Sequence, residues 1–152
     1  MKDEEKTKAQ LLEELKVLRG NLSELESRHQ ATKVIQSRYQ DFIESMDDVC
    51  VETDLAGKFI FGNTALPRMT GYTKEEFEQL KREDRFATPE EARRVFQIYY
   101  DIYRKGKRGE RFYASHRSKE GKILILETSA SLVRDAEGNP VGLRGIARNA
   151  DE

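Results

Sequence analysis

Glu52-Thr53-Asp54-Leu55-Ala56-Gly57-Lys58-Phe59-Ile60-Phe61-Gly62-Asn63-Thr64-Ala65-Leu66-Pro67-Arg68-Met69-Thr70-Gly71-Tyr72 carries, without interruption, the signals for a strand, a tight turn, a returning strand and a short helix. Val49 to Thr53 is rich in β-branched residues and reads as the first strand. Asp54-Leu55-Ala56-Gly57 supplies the turn, because aspartate can bond its own backbone and glycine takes positive φ without strain. Phe59 to Gly62 then returns as the hairpin partner. Asn63 is suited to cap a helix from Thr64 to about Thr70, with Pro67 near the first turn, where a missing amide costs little. Gly71 closes that helix. Thr73 opens another, with Glu76 placed three residues on to complete a capping box.

Downstream, Thr88-Pro89-Glu90-Glu91 has a helix start's composition, proline at the first position and acids facing the dipole. The helix should run to about Lys105 and pack against a sheet through Val95, Phe96, Tyr99, Ile102 and Tyr103. Gly106 to Gly109 reads as a charged, flexible connection. Phe112 to Ser118 and Lys122 to Val133 are strands joined by a Lys119-Glu120-Gly121 hairpin turn, and Asp135 to Pro140 turns the chain into a last strand, Val141 to Arg148. Two strands, helices, then three strands define an α+β fold: a five-stranded antiparallel sheet with helices on one face.

Upstream, Met1 to about Met46 has no proline and one glycine, and leucines 11, 15, 18, 22 and 25 alternate in steps of four and three, the spacing of a coiled-coil seam. Charged residues such as Glu13, Glu14, Lys16, Arg19, Glu24 and Glu26 suit its flanks. Gly20 and Asn21 are poor helix formers, yet the leucine steps run through them without a slip, so one continuous helix is expected. A second stripe, Ile35, Tyr39, Phe42 and Met46, follows another phase and is expected to meet a different partner. The domains expected are therefore a signalling helix over 1–45 and a globular domain over 46–149.

The chain's 152 residues, 37% of them hydrophobic, leave room for one ordinary core. Lysine plus arginine (27) nearly balance aspartate plus glutamate (28), which offers no footprint for nucleic acid. The single cysteine, Cys50, excludes an intramolecular disulfide and fits a reducing compartment, most simply as a small buried strand residue. No apolar run approaches the roughly 18 to 20 residues of a membrane span, and the N-terminus is charged where a signal peptide is apolar. A cytoplasmic location without membrane insertion is the expectation. No glycine-rich phosphate loop or readable nucleophile and base is present, and Glu110 and Glu127 are better read as solvated strand ends than as paired acids. The chain is not expected to be an enzyme. One cysteine and two distant histidines do not make a metal site.

Glu52-Thr53-Asp54 through Gly57, Asn63-Thr64-Ala65, Gly71-Tyr72 with Glu75-Glu76-Phe77, Lys119-Glu120-Gly121, Glu127-Thr128-Ser129, and Gly142 through Gly145-Ile146-Ala147-Arg148 occur in an order and spacing that resembles a PAS domain of the bacterial sensor histidine kinase type. The resemblance covers residues 39 to 149, and the leucine-rich helix resembles the coiled-coil segment that leads into such domains. It implies a sensory module that binds a small ligand or a partner and relays the change through a dimeric coiled coil, as part of a two-component histidine kinase whose output activity resides in another domain. Alternatives are a ligand-free homodimerisation or docking module and, more weakly, a redox or light sensor holding flavin non-covalently. A covalent flavin site of the LOV type needs a cysteine between Gly71 and Pro89, and residues 89 to 105 lack the histidine that haem-binding relatives offer. No cofactor is therefore evident beyond an unidentified small molecule. The ending Arg148-Asn149-Ala150-Asp151-Glu152 lacks the family's apolar lead into an output helix, so an excised module is expected over a stand-alone protein.

Strand alternation places candidate pocket residues toward the helices: Phe112, Ala114 and His116, then Leu124, Leu126, Thr128 and Ala130, then Leu143, Gly145 and Ala147, opposite Phe96 and Tyr99. Ala114, Ala130, Gly145 and Ala147 form a small-residue floor that a ligand or core side chains can fill. His116 is the polar ring on that face, read either as a ligand-orienting group or as a locally satisfied strand residue. The tyrosines at 99, 100 and 103 read first as core. Leu11, Leu15, Leu18, Leu22 and Leu25 are the candidate dimer contacts, together with a sheet face bearing Ile123 and Ile125 that the second helical stripe is expected to cover.

Overall fold

The structure is a computed structural model, and it describes residues 3–106 and 110–151. The connection expected over Gly106 to Gly109 lies, from residue 107 on, outside the described residues. The chain divides into two compact units, one ending at Phe42 and the other beginning at Ile43.

The first unit is built on α1 (Lys8–Ser45), which is helical through Gly20 without a break. Its start differs from the expectation of a helix from the first residue. A short 3-10 turn, Asp3–Glu5, comes first. Thr7 and Gln10 then form a reciprocal box in which each backbone amide donates to the other's side-chain oxygen, at 2.9 and 3.3 Å. That satisfies two of the donors a helix start leaves open. Leu11, Leu15, Leu18, Leu22 and Leu25 are 37% to 62% exposed in the single chain, and Ile35, Tyr39 and Phe42 are exposed as well.

The second unit is an antiparallel sheet of β1 (Val49–Asp54), β2 (Phe59–Gly62), β3 (Glu110–Arg117), β4 (Ile123–Arg134) and β5 (Pro140–Asn149), in the spatial order β2-β1-β5-β4-β3. Between β2 and β3 come α2 (Ala65–Thr70), α3 (Lys74–Gln79), a 3-10 turn at Arg82–Arg85, and α4 (Pro89–Lys105). Register aligns Val51 with Gly145, Gly145 with Ala130, Ala147 with Thr128, and Phe112 with Thr128, so these residues share the inner face. Three apolar clusters pack beneath the helices: Val49, Phe59, Ala65, Leu66 and Phe77; Phe86, Ala92, Val95 and Ala114; and Ile102, Ala130 and Leu143. Burying a side chain such as Leu66, Val95 or Ile102 contributes roughly 1.5–3 kcal/mol each.

The local start and stop signals hold for most helices. Thr88 Oγ1 accepts from the Glu91 amide at 3.1 Å, and Thr73 Oγ1 from the Glu76 amide at 3.1 Å. Gly71 takes φ +80° and donates its amide to Pro67 O. Asn63 departs from its expected part as an N-cap, because Thr64 occupies that position and no side chain caps α2. The fully buried Asn63 amide instead accepts from the Cys50 amide at 3.0 Å and donates to the Ile43 and Asp48 carbonyls, each at 2.9 Å. Beside it Glu44 accepts from the Thr64 amide at 2.7 Å and from the Thr64 hydroxyl, and pairs with Lys74 at 3.3 Å. These bonds fasten the last turn of α1 to β1 and α2.

The outer sheet face carries ion pairs, Glu52 with Arg144 and Glu127 with both Arg111 and Arg148. Tyr113, Ile123 and Ile146 stand exposed among them.

Candidate functional site

Pleating turns alternate residues of four strands inward, and α4 lies across them, leaving between them a partly open cavity of about 580 Å³. That volume falls within the roughly 300–1,000 Å³ of ordinary ligand sites. β1 contributes Val49, Val51 and Thr53; β3 contributes Phe112 and His116; β4 contributes Leu126 and Thr128; β5 contributes Leu143, Gly145 and Ala147. Val95, Phe96, Tyr99, Tyr100 and Tyr103 line it from α4, and Leu66, Thr70 and Phe77 from the two short helices.

Of the residues expected in the pocket, Phe96, Tyr99, Phe112, His116, Leu126, Thr128, Leu143 and Gly145 come together on its wall. Ala114 and Ala130 do not. They are 2% and 0% exposed, and the space above them is filled by core side chains: Ala114 lies under Phe86, Ala92 and Val95, and Ala130 under Ile102. Their small size lets α4 approach the sheet closely and leaves nothing open for a ligand. Gly145 does contribute space, since a Cβ there would stand 3.4 Å from the Tyr99 hydroxyl. Nor are the three tyrosines simple core. Tyr100 and Tyr103 line the cavity while about half exposed, and Tyr99 reaches across it, its ring edge-on to Phe112 at 5.9 Å between centroids.

Of the lining residues that a reading of the sequence does not place in the pocket, Arg82 and Arg85 carry charge. They sit in Lys81-Arg82-Glu83-Asp84-Arg85, where alternating charge reads as a solvated loop. The only local hint is the three-residue spacing, which puts both arginines on one side of a helical turn. The 3-10 turn directs them inward. Arg82 lies over the Phe96 ring at 3.7 Å and donates to the Ala56 carbonyl at 3.2 Å; Arg85 lies over Phe77 at 4.5 Å. The Arg85 Nη2 group makes long bonds to the Phe77 and Leu80 carbonyls, 3.4 and 3.5 Å, and its buried Nε has no hydrogen-bond partner.

Burial, then the like charge of Arg82, pulls the Arg85 guanidinium below its ordinary value. Burial pushes the Tyr99 phenol up to about 12, which keeps it a neutral donor, and the nearby Arg85 charge offsets this only in part. His116 is driven down to about 4 by burial, against the weaker pull of the adjacent Arg85 carbonyl and the Glu91 carboxylate. Its ring is tilted against Phe86 at 4.7 Å. The site is thus an apolar chamber with one polar corner, holding two cations, a phenol and a neutral imidazole. Nothing in that arrangement pairs a nucleophile with a base. Cys50 is buried on β1, away from the cavity lining, and burial raises its thiol.

A family model described as PAS fold matches residues 59–147, and the chain belongs to that family, whose members are generally sensory modules and not catalysts. Solved structures similar to it include the PAS domain of a protein from Colwellia psychrerythraea, with 21% identity and a TM-score of 0.67 over 76% of this chain and 96% of that one. A domain of a sensory box sensor histidine kinase/response regulator from Geobacter sulfurreducens matches at 24% identity and a TM-score of 0.62, covering 75% of this chain and 93% of that one. A PAS domain from a two-component sensor histidine kinase matches at 19% identity and a TM-score of 0.63, covering 78% and 98%. At these identities the shared feature is the fold. No curated protein matches the chain by sequence. Among the described residues no helix is long and apolar enough to cross a membrane, and no group of three or more His, Cys, Asp or Glu could hold a metal ion.

Proposed function

We propose that this chain is a sensory module that takes a small organic molecule into the cavity under α4 and relays its presence through α1, paired with a second copy, to a histidine kinase output. The observation that carries the reading is the cavity itself: about 580 Å³ between the sheet and α4 of a PAS fold, with a few polar groups on its wall. A ligand-free docking module gives such a chamber no use. The relay is supported by the bonds of Asn63 and Glu44, which tie the end of α1 to β1 and α2. Because β1 and α2 also line the cavity through Val51, Leu66 and Thr70, a ligand that shifts them acts on the helix end. The leucine seam, exposed in the single chain, supports pairing with a second copy.

Native mass spectrometry of the chain purified without denaturation tests ligand binding. The expected result is a copurified small molecule that is lost on unfolding. A bare polypeptide mass, joined by a melting temperature that no small-molecule library shifts, would remove the sensing reading.

A further inference from the structure

We infer that the cavity receives an organic carboxylate, its charged end at the Arg82 and Arg85 corner and its apolar body against Leu66, Leu126 and Leu143. This deepens the proposed small-molecule sensing and rests on it. Several arginines of the second unit meet carboxylates, Arg94 with Glu91 at 2.7 Å, Arg148 with Glu127 at 2.7 Å and Arg144 with Glu52, while the exposed Arg117 and Arg134 donate to backbone carbonyls. Among the described residues, neither Arg82 nor Arg85 has a carboxylate within ion-pair distance, although Glu83 and Asp84 are their chain neighbours. Burying the Arg85 cation is costly and the Glu83 charge offsets that only in part, so an anion supplied from outside the fold would complete the corner.

The geometry suits a carboxylate. Arg82 and Arg85 lie over the Phe96 and Phe77 rings at 3.7 and 4.5 Å, and their carbonyl bonds use Nη1 of Arg82 and Nη2 of Arg85, which leaves other N–H groups to donate. The orphaned Nε of Arg85 is one of these, and a carboxylate bound side-on to a guanidinium takes two parallel N–H bonds. Tyr99 adds a neutral hydroxyl donor from α4. His116 carries no charge at neutral pH, so the corner does not accumulate a third cation. Arg82 is exposed and Arg85 half-buried, an arrangement that draws an acid in past the first and seats it on the second. Apart from the hydroxyls of Thr53, Thr70 and Thr128 the remaining lining is apolar or aromatic and carries no further cation, which suits a monocarboxylate with an aliphatic or aromatic body better than a polyanion.

Isothermal titration of the full chain, stripped of bound molecules by unfolding and refolding, with octanoate and 3-phenylpropionate against octanamide and 3-phenylpropionamide tests the assignment. At least one acid should bind tenfold or more tighter than its amide. Arg85→Gln should weaken that acid at least tenfold while changing amide affinity less than threefold, and Arg82→Gln should weaken it less than Arg85→Gln does. Should Arg85→Gln fail to fold by circular dichroism, the acid and amide comparison on the unaltered chain decides. Amides binding as tightly as acids would overturn the carboxylate assignment and leave the sensing function standing. Binding of neither kind also overturns it, and the sensing function falls with it only if native mass spectrometry finds the purified chain empty.

Discussion

Asn63 and His116 show how single side chains in this fold act through groups distant in sequence. Three hydrogen bonds from one fully buried amide hold the Ile43 and Asp48 carbonyls and the Cys50 amide. Truncation would remove the side-chain partner of the Cys50 amide and the Asp48 carbonyl and leave the Ile43 carbonyl only its 3.3 Å bond from the Met46 amide, so Asn63→Ala should cost about 2–4 kcal/mol, read as a lowered urea midpoint with an unchanged slope. His116 makes stability depend on pH. Its folded value of about 4 lies below the ordinary 6.5, so the unfolded chain binds the proton more tightly, and acidification across that interval favours unfolding. Stability should therefore be fully present above pH 6.5 and decline by roughly 2–3 kcal/mol as the pH falls toward 4. Glu91 faces His116, and the other carboxyls with lowered values lie apart from it. The Glu44, Glu76 and Glu91 carboxyls, each held below its usual 4.5 by bonds to Thr64, Lys119 and Arg94, add their own losses only at the acid end. Denaturant titrations between pH 6.5 and 5 thus isolate the imidazole. His116→Gln should flatten the slope there, and an unchanged slope would show that another group carries it.

Within an element, what could be read from the sequence and what could not divide by the range of the interaction involved. Thr88, Pro89 and Gly71 announce their helix ends because caps and turns are local chemistry, satisfied within four residues of chain. Asn63 obeys the same capping preference and yet does something else, since its partners lie 13 to 20 residues away and only strand pairing brings them near. Ala114 and Ala130 were legible as inward-facing but not as covered, because Ile102 and Val95 reach them from a separate helix. Arg82 and Arg85 were illegible for another reason: a charge-rich stretch reads as solvated, and most of it is exposed, so only the aromatic rings of Phe96 and Phe77 beneath it reveal the two arginines as cavity lining. Gly20 shows the weight of local preference inside α1. A Cβ at that position would meet no atom within 4 Å, so Gly20→Ala adds no clash and removes backbone freedom from the unfolded chain. The substitution should stabilise α1 by about 0.5–1 kcal/mol and raise the midpoint of its helical circular dichroism melt. A lowered midpoint would mean that the glycine serves a contact between copies.

At the scale of the whole molecule, the proposed relay needs two copies, and the exposed leucine seam states how they would meet. Leu18 and Leu25 are seven residues apart and so occupy the same heptad position, which in a parallel pair faces its own equivalent across the seam. Only a few heptads are present, so pairing along α1 alone would be marginal and would draw on the domain that follows. Two single variants, Leu18→Cys and Leu25→Cys, should each form disulfide-linked dimers under mild oxidation, while buried Cys50 contributes little background. An antiparallel pair would bring neither position opposite itself. If occupancy of the cavity is transmitted through Asn63 and Glu44 to the helix end, loading the chain with its preferred carboxylate should change the crosslinking rate at Leu18 or Leu25 by twofold or more. Asn63→Ala should abolish that change while the acid still binds, which separates transmission from recognition. Crosslinking indifferent to ligand at both positions would remove α1 as the output, and a monomer by light scattering at micromolar concentration would remove the dimer on which that output depends.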